Sequence, residues 1–291
     1  MRFLIIGSSG FIGRHLHWYL NSREQMVGLC DLTDGIDIRD YDMLSKVFSR
    51  FKPHIVYHLA AQVFAGPSET HPSNDIEVNI NGTINVIRCV AECEHSNVLV
   101  FSSTQAVVEP WSNYAVSKMA AEEYIKKYTR QGLIQGKIVR FSSVYGPDRY
   151  SVDDDEQVSW HGPINRFLYQ GMKKTPITVY GTGDSMRDYT HISDVVRAME
   201  YVRLDGQIGG TYNIGTGTQH SVSDIADLAK FISKSRRKAK YFPDKGGDDF
   251  KSGSFNVQNL FKLGFVPRYD LYSGMLDTYS GMEKICKELE K

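Results

Sequence analysis

Short apolar runs alternate with longer amphipathic stretches through the first half of the chain, and this rhythm constrains the fold more than any other feature. Residues 3–6 read as a buried strand, and 11–20 as a helix with Ile12, Leu16 and Leu20 on one face. The series continues with strand 26–30, helix 41–51, strand 54–57, helix 74–93, strand 98–101, helix 113–128 and strand 137–141. Strands that are continuously apolar, rather than alternating, are buried on both faces. Strand, helix, strand in repetition then predicts an α/β fold built on a doubly wound parallel sheet. With roughly 150 residues per domain as a guide, 291 residues allow one large domain or two closely joined ones. After residue 146 the texture changes to a loop, PDRYSVDDDEQVSWHGP, and shorter elements: helix 164–172, strand 177–180, and helices 193–202 and 221–232. The expected division is therefore 1–146 and a smaller C-terminal α/β lobe, 147–291, resting on the carboxyl ends of the strands. Some later segments return to the first domain.

Charge narrows the partners. The chain has 34 basic and 34 acidic side chains, so no global field holds a nucleic-acid backbone or an anionic membrane. An anionic ligand must be met by a local cluster. The basic run 234–240, KSRRKAK, reads as a solvated helix end. No apolar stretch approaches the roughly 18 residues of a membrane span, and glycines interrupt the apolar start, so a soluble, cytoplasmic protein is expected. Cys30, Cys89, Cys93 and Cys286 are too sparse for a disulfide framework and suit a reducing compartment. Cys89 and Cys93, four apart on a helix, read as buried thiols, and no metal site is expected.

The segment GSSGFIG sets Gly7, Gly10 and Gly13 between the first strand and the first helix. A helix N-terminus presents amides and partial positive charge, here from Phe11 and Ile12 onward, and glycine lets phosphate approach the backbone. The context predicts a dinucleotide site. Asp31, at the end of the second strand, would accept bonds from ribose hydroxyls and repel a 2′-phosphate, which favours NAD over NADP.

Further motifs follow in order: DIRD at 37–40, VYHLAAQ ending at Gln62, VNINGT at 78–83, FSST at 101–104 and YAVSK at 114–118. RFSSVYGP, RDYTHISD and YNIGTG continue the series into the second lobe. The chain resembles the extended short-chain dehydrogenases/reductases, with their Rossmann-type sheet, and within them the NAD-dependent nucleotide-sugar epimerases and dehydratases. The resemblance covers essentially the whole chain. It implies that Asp37 and Ile38 flank the adenine, that Leu59, Ala60 and Ala61 line the cofactor, and that Lys118 also holds the nicotinamide ribose. It further implies a homodimer through the helices around 79–93 and 113–128.

Three Tyr-x-x-x-Lys matches occur, at Tyr114/Lys118, Tyr169/Lys173 and Tyr241/Lys245, but only the first opens a helix after a buried strand ending in hydroxyl residues. The chemistry needs that context. Taking hydride from a sugar carbinol requires a base for the hydroxyl proton, and a free tyrosine with a pKa near ~10 is a poor one at neutral pH. Lys118, one helical turn from Tyr114, and an oxidised nicotinamide would both favour the phenolate. Thr104 would orient the same sugar oxygen.

At the substrate end, Arg187 matches the arginine that grips the diphosphate in similar enzymes, as a planar fork suits phosphate oxygens. Arg149 would contribute to the same pocket, and Gln62, Val63 and Phe64 would face the hexose. Ser143 stands where the family commonly has asparagine. In KGGD, Lys245 takes an arginine position, and Ser252 falls where side-chain bulk excludes N-acetylated sugars in some 4-epimerases. Few residues separate Asp31 from Asp37, as in nucleotide 4-keto-6-deoxysugar reductases, and few separate Thr104 from Tyr114, so part of the wall over the sugar is missing or comes from elsewhere. The resemblance implies a nucleotide-sugar 4-epimerase working through a transient 4-keto sugar. Dehydratases usually carry an Asp-Glu pair after the threonine; Gln105 and Ala106 supply neither acid nor base. A 4-keto-6-deoxysugar reductase and a non-catalytic NAD-sensing protein of the same fold are the alternatives.

Overall fold

Arg2–Ile6 (β1) leads to Phe11–Asn21 (α1), Met26–Cys30 (β2), Tyr41–Phe51 (α2) and Ile55–His58 (β3) in a computed structural model, which describes residues 1–63, 65–95, 97–148, 162–243 and 255–289. Ala65–Thr70 (α3), Pro72–Asp75 (α4) and Thr83–Glu92 (α5) precede Val98–Thr104 (β4), Asn113–Arg130 (α6) and Gln135–Phe141 (β5). Then come Ser143–Tyr145 (β6), Gly162–Met172 (α7), Thr178–Tyr180 (β7), Met186–His191 (β8), Ile192–Asp205 (α8) and Thr211–Ile214 (β9). Gln219–Ser221 (β10), Val222–Ile232 (α9), Lys240–Phe242 (β11), Gln258–Phe261 (α10) and Leu271–Leu289 (α11) complete the series.

The main sheet runs in the order β2-β1-β3-β4-β5-β9. Its first four pairings are parallel, as the continuously apolar strands predict. Because β1 pairs with β2 on one side and β3 on the other, the winding reverses between β1 and β3. Ligands of such sheets bind outside the carboxyl ends of the strands at that reversal.

Two units make up the chain. The first comprises Met1–Phe141, Val196–Asn213 and Gln258–Phe265. One face of its sheet buries Leu4, Ile6, Val56, Leu99 and Phe101 against Leu44 and Phe48 of α2, Val86 and Val90 of α5, and Ile125 of α6. Each such aliphatic or aromatic side chain contributes about 1.5–3 kcal/mol relative to exposure. On the other face Phe3 stacks on Tyr57, whose hydroxyl donates to Glu200 of α8, and Arg203 pairs with Glu200 at 2.8 Å while covering Phe3. The second unit comprises Ser142–Val195, Ile214–Val257 and Val266–Lys291, with strands ordered β10-β8-β6 and β11-β7. Ile164 and Phe167 of α7, Ile225 and Ala229 of α9, and Met275 and Met282 of α11 share its core.

One expectation is refined and one changes. The helix predicted over 74–93 is continuous from Pro72 to Glu92 but widens to a π-type stretch at Ile76–Gly82, between α4 and α5. The apolar periodicity survives such a bulge, so periodicity cannot reveal it. The basic run 234–240 is not a helix end, because α9 stops at Ile232 and the run passes through Lys234, at φ 51°, into β11.

All four cysteines are free, and burial pushes the Cys30 and Cys89 thiols up to about 12. Among the described residues no cluster of His, Cys, Asp or Glu could hold a metal, and no helix is long and apolar enough to cross a membrane.

Helix α6 is fastened to the sheet by Glu122. It is 1% exposed and accepts bonds from Arg140 of β5, at 2.8 and 2.6 Å, and from Ser103 of β4, at 2.7 Å. Burial alone would raise this carboxyl, but the Arg140 and Ser103 bonds outweigh it and hold the group below the usual carboxylate range. The depressed value means that the bonds' stability is present at neutral pH and is lost as pH falls through the folded-state value. Arg140→Met, which strands the buried carboxylate, is expected to lose about 3–5 kcal/mol in urea denaturation at pH 7. The gap from the parent should narrow in acid, where Glu122 is protonated.

Candidate active site

The glycine segment lies where β1 gives way to α1, beside the exit of β3. Gly7 adopts φ 89°, a left-handed conformation, and a Cβ there would collide with the Ala60 amide nitrogen. At Gly13 a Cβ would collide with the Gly7 carbonyl oxygen, so α1 sits directly on the loop. Gly10 differs: a Cβ would meet only the Gly7 oxygen, at an ordinary 3.4 Å. Gly10 is also the N-cap of α1 and brings no side chain to cap it. The glycines thus divide the work, two closing the backbone together and one leaving open space before the amides of α1, which begins with Phe11 and Ile12. That cradle fits a diphosphate.

Asp31 braces the loop. Its Oδ2 accepts the Ser9 amide at 2.9 Å, and its Oδ1 accepts the Thr33 amide at 3.1 Å. A carboxylate has lone pairs left for ribose hydroxyls. Asp37 is clasped by Arg39, with contacts of 2.6 to 3.0 Å, and the Arg39 bonds lower its carboxyl pKa. Ile38 is 5% exposed and packs so close to Gly82 that a Cβ there would lie 2.6 Å from it. Leu59, Ala60 and Ala61 leave β3 half-buried, and the Leu59 and Ala60 amides both donate to the Ile6 carbonyl. These residues fit a dinucleotide cofactor.

Thr104, Tyr114 and Lys118 converge at the end of β4 and the start of α6. Thr104 ends the strand, its Oγ accepting the Ala106 amide at 3.2 Å, and its hydroxyl acts on the Tyr114 phenol. Ser112 caps α6 through the Ala115 amide, which starts the helix just before Tyr114. Lys118 is 2% exposed, its ammonium 4.2 Å from the centre of the Phe101 ring. Burial pushes Tyr114 up to about 12, the Thr104 bond opposes this, and the charge of Asp75 adds to it. Burial brings Lys118 down to about 7, with Glu122 acting against the fall. Sequence reasoning had Lys118 drawing the phenol down; here the hydroxyl of Thr104 acts in that direction. Burial and then the charge of Lys118 bring His58, on β3, down to about 3.

Behind the pair lies a network that sequence reasoning missed. Asn79, in the π-type stretch, accepts the Gln62 amide at 2.9 Å and donates to the Gln62 carbonyl at 3.0 Å. Its Nδ2 also lies 2.9 Å from Ser117 Oγ and 3.3 Å from Asp75 Oδ1, and Ser117 donates to the Tyr114 carbonyl at 2.8 Å. The only signal in the chain was the asparagine of VNINGT, since the partners are far apart in sequence.

In the second unit, Arg187 is half-buried on β8 opposite His220 of β10, and Ser143 opens β6 opposite Tyr189 of β8. Asp188, 1% exposed, accepts the amides of Thr216, at 2.9 Å, and Gly217, at 2.7 Å, and so shapes the turn of the GTG segment. Burial raises its carboxyl against those bonds. Of the competing Tyr-x-x-x-Lys pairs, Tyr169 lies in the core of this unit. Phe64, Arg149, Lys245 and Ser252 lie outside the described residues.

Comparison with known proteins gives the class. The NAD dependent epimerase/dehydratase family matches residues 3–215, most of the chain. The chain belongs to this family, and NAD is the cofactor that goes with it. It is 28% identical to the UDP-glucose 4-epimerase of Mycolicibacterium smegmatis, over 96% of this chain and 97% of that one. It is 24% identical to the dTDP-glucose 4,6-dehydratase of Salmonella typhimurium, over 96% and 91%. The fold matches the crystal structure of UDP-glucose 4-epimerase with UDP-glucose from Thermotoga maritima at a TM-score of 0.89, with 24% identity, covering 98% of this chain and all of that one.

The division among the glycines is testable by paired substitutions. Gly10→Ala should leave the thermal midpoint of the ligand-free protein nearly unchanged and weaken NAD binding, read by calorimetry, by about 1.4 kcal/mol, tenfold, or more. Gly7→Ala should instead lower the thermal midpoint, through backbone strain of about 1–3 kcal/mol and the clash with Ala60.

Proposed function

We propose that the chain is a nucleotide-sugar 4-epimerase, an isomerase of carbohydrate biosynthesis. The observation that carries the reading is the grouping of Thr104 at the end of β4 with Tyr114 in the first turn of α6, where the Thr104 hydroxyl draws the phenol down, and the buried Lys118 one helical turn on. Bound NAD supplies a hydride acceptor that later returns the hydride, and a positive ring that favours the phenolate. Thr104 orients the O4 hydroxyl of the sugar. Tyr114 takes its proton as hydride leaves C4, and gives the proton back when hydride returns to the opposite face of the 4-keto sugar. Lys118 holds the nicotinamide ribose and stabilises the phenolate. Gln62, Ser143 and Arg187 are assigned to the nucleotide sugar, with Arg187 on the diphosphate; Arg149, Lys245 and Ser252 are assigned to it on sequence alone.

A 4,6-dehydratase is disfavoured, because Gln105 and Ala106 follow Thr104 and supply neither acid nor base. One observation favours a 4-keto-6-deoxysugar reductase instead: a single 3-10 turn, Leu32–Asp34, lies between Asp31 and Asp37. The assay separates them. An epimerase interconverts a sugar nucleotide with no net change in reduced-cofactor absorbance, whereas a reductase consumes it in step with product. Tyr114→Phe should lower kcat by about 10²- to 10⁴-fold while retaining NAD binding. Unchanged turnover would remove Tyr114 from the chemistry.

We also propose a cytoplasmic homodimer that pairs α5 and α6. Val116 and Met119, three residues apart on α6, are 48% and 38% exposed, and Ile76 is 52% exposed. Sedimentation should show a dimer for the parent and a monomer for the double variant Val116→Glu/Met119→Glu.

A further inference from the structure

Helices α3 and α6 meet where α6 begins. Glu69 accepts the Asn113 amide at 2.9 Å and the Asn113 side-chain nitrogen at 3.2 Å, and that nitrogen lies 3.4 Å from the Ser68 carbonyl. Ser68 donates to Asp75 Oδ2 at 2.6 Å, and the two residues are 0% and 1% exposed. The other oxygen of Asp75 accepts from Asn79 at 3.3 Å. Both donors are neutral. A buried carboxylate with no cation beside it among the described residues is costly, so its work is worth locating.

Position says what that work is. Asp75 reaches Tyr114 by two routes, through Asn79 and Ser117 to its main chain and through space to its phenol. Of the charged groups on α6 and the elements packed around its start, namely Glu69, Asp75, Glu77, Lys118 and Glu122, Asp75 is the one whose charge raises the Tyr114 phenol. The connection from Thr104 to Tyr114 is short, a single 3-10 turn at Gln105–Val107 before α6, and it builds little wall over a bound sugar.

We propose that Asp75 and Glu69 clamp α3 against the first turn of α6, making α3 the wall beside Tyr114 that the short connection does not supply, with Asp75 a positioning residue for the base. This rests on reading Tyr114 as the base. Asp75→Asn keeps the shape and removes the charge; Glu69→Gln weakens the exposed half of the clamp.

The test uses the NAD-loaded protein. With 13Cζ-labelled tyrosine, and the Tyr114 signal assigned from Tyr114→Phe, the ionisation midpoint of Tyr114 should fall by about one pH unit in Asp75→Asn. An identical midpoint in parent and variant overturns the role of Asp75. Glu69→Gln should speed amide hydrogen exchange over 65–70 and raise KM for UDP-glucose several-fold, with kcat within about twofold. Unchanged exchange and unchanged KM in a variant that turns over would overturn the clamp. Should Asp75→Asn not fold, Ser68→Ala takes its place: faster exchange over 65–70 supports the clamp and parental exchange refutes it. Failure of every sugar nucleotide to turn over would sink the epimerase reading, while titration and exchange still decide this one.

Discussion

Glu122 stands four residues beyond Lys118 on α6, buried between Arg140 of β5 and Ser103 of β4. A long helix can slide or roll on an apolar sheet at small cost, because dispersion contacts are individually weak and exchangeable. A buried carboxylate with three directed bonds cannot, since any displacement leaves a charge without partners. The register of α6 against β4 follows from this pair, and with it the meeting of Tyr114 with Thr104. The network around Asn79 sets the near end of the same helix. The placing of Tyr114 thus depends on two polar anchors, one at each side of Lys118.

The site also shows a balance that opposes its chemistry. Burial drives Tyr114 toward the neutral phenol and Lys118 toward the neutral amine, and Asp75 adds to the first of these. Both trends follow from a poorly solvated setting, which strengthens every charge interaction within it. A base held in reserve in this way responds strongly to any positive charge brought beside it.

Much of this was legible in the chain. The strands and helices of the first unit fall within a few residues of their predicted bounds, because continuous apolar runs and helical periodicity are local signals. GSSGFIG announced a turn between strand and helix, though not that Gly7 and Gly13 serve close backbone contact while a Cβ at Gly10 would meet only the Gly7 oxygen. Tyr114 was separable from two decoys by its context, and Tyr169 proves to be a core residue. The π-type stretch within the 74–93 helix, the buried pair Ser68–Asp75 and the Glu69–Asn113 contact were not legible, since each depends on which residues meet across the fold.

By itself the sequence determined the layered α/β architecture and the place of the glycine loop, and it singled out Tyr114, Lys118 and Thr104 as the candidate reacting groups, because periodicity, glycine spacing and motif order are written along the chain. Tertiary structure alone decided which charges Tyr114 feels and which elements meet beside it. Those properties arise from burial and from contacts between residues tens of positions apart, such as Glu69 with Asn113 and Asn79 with Ser117. No local pattern encodes them, because desolvation belongs to the packed assembly and not to any single segment.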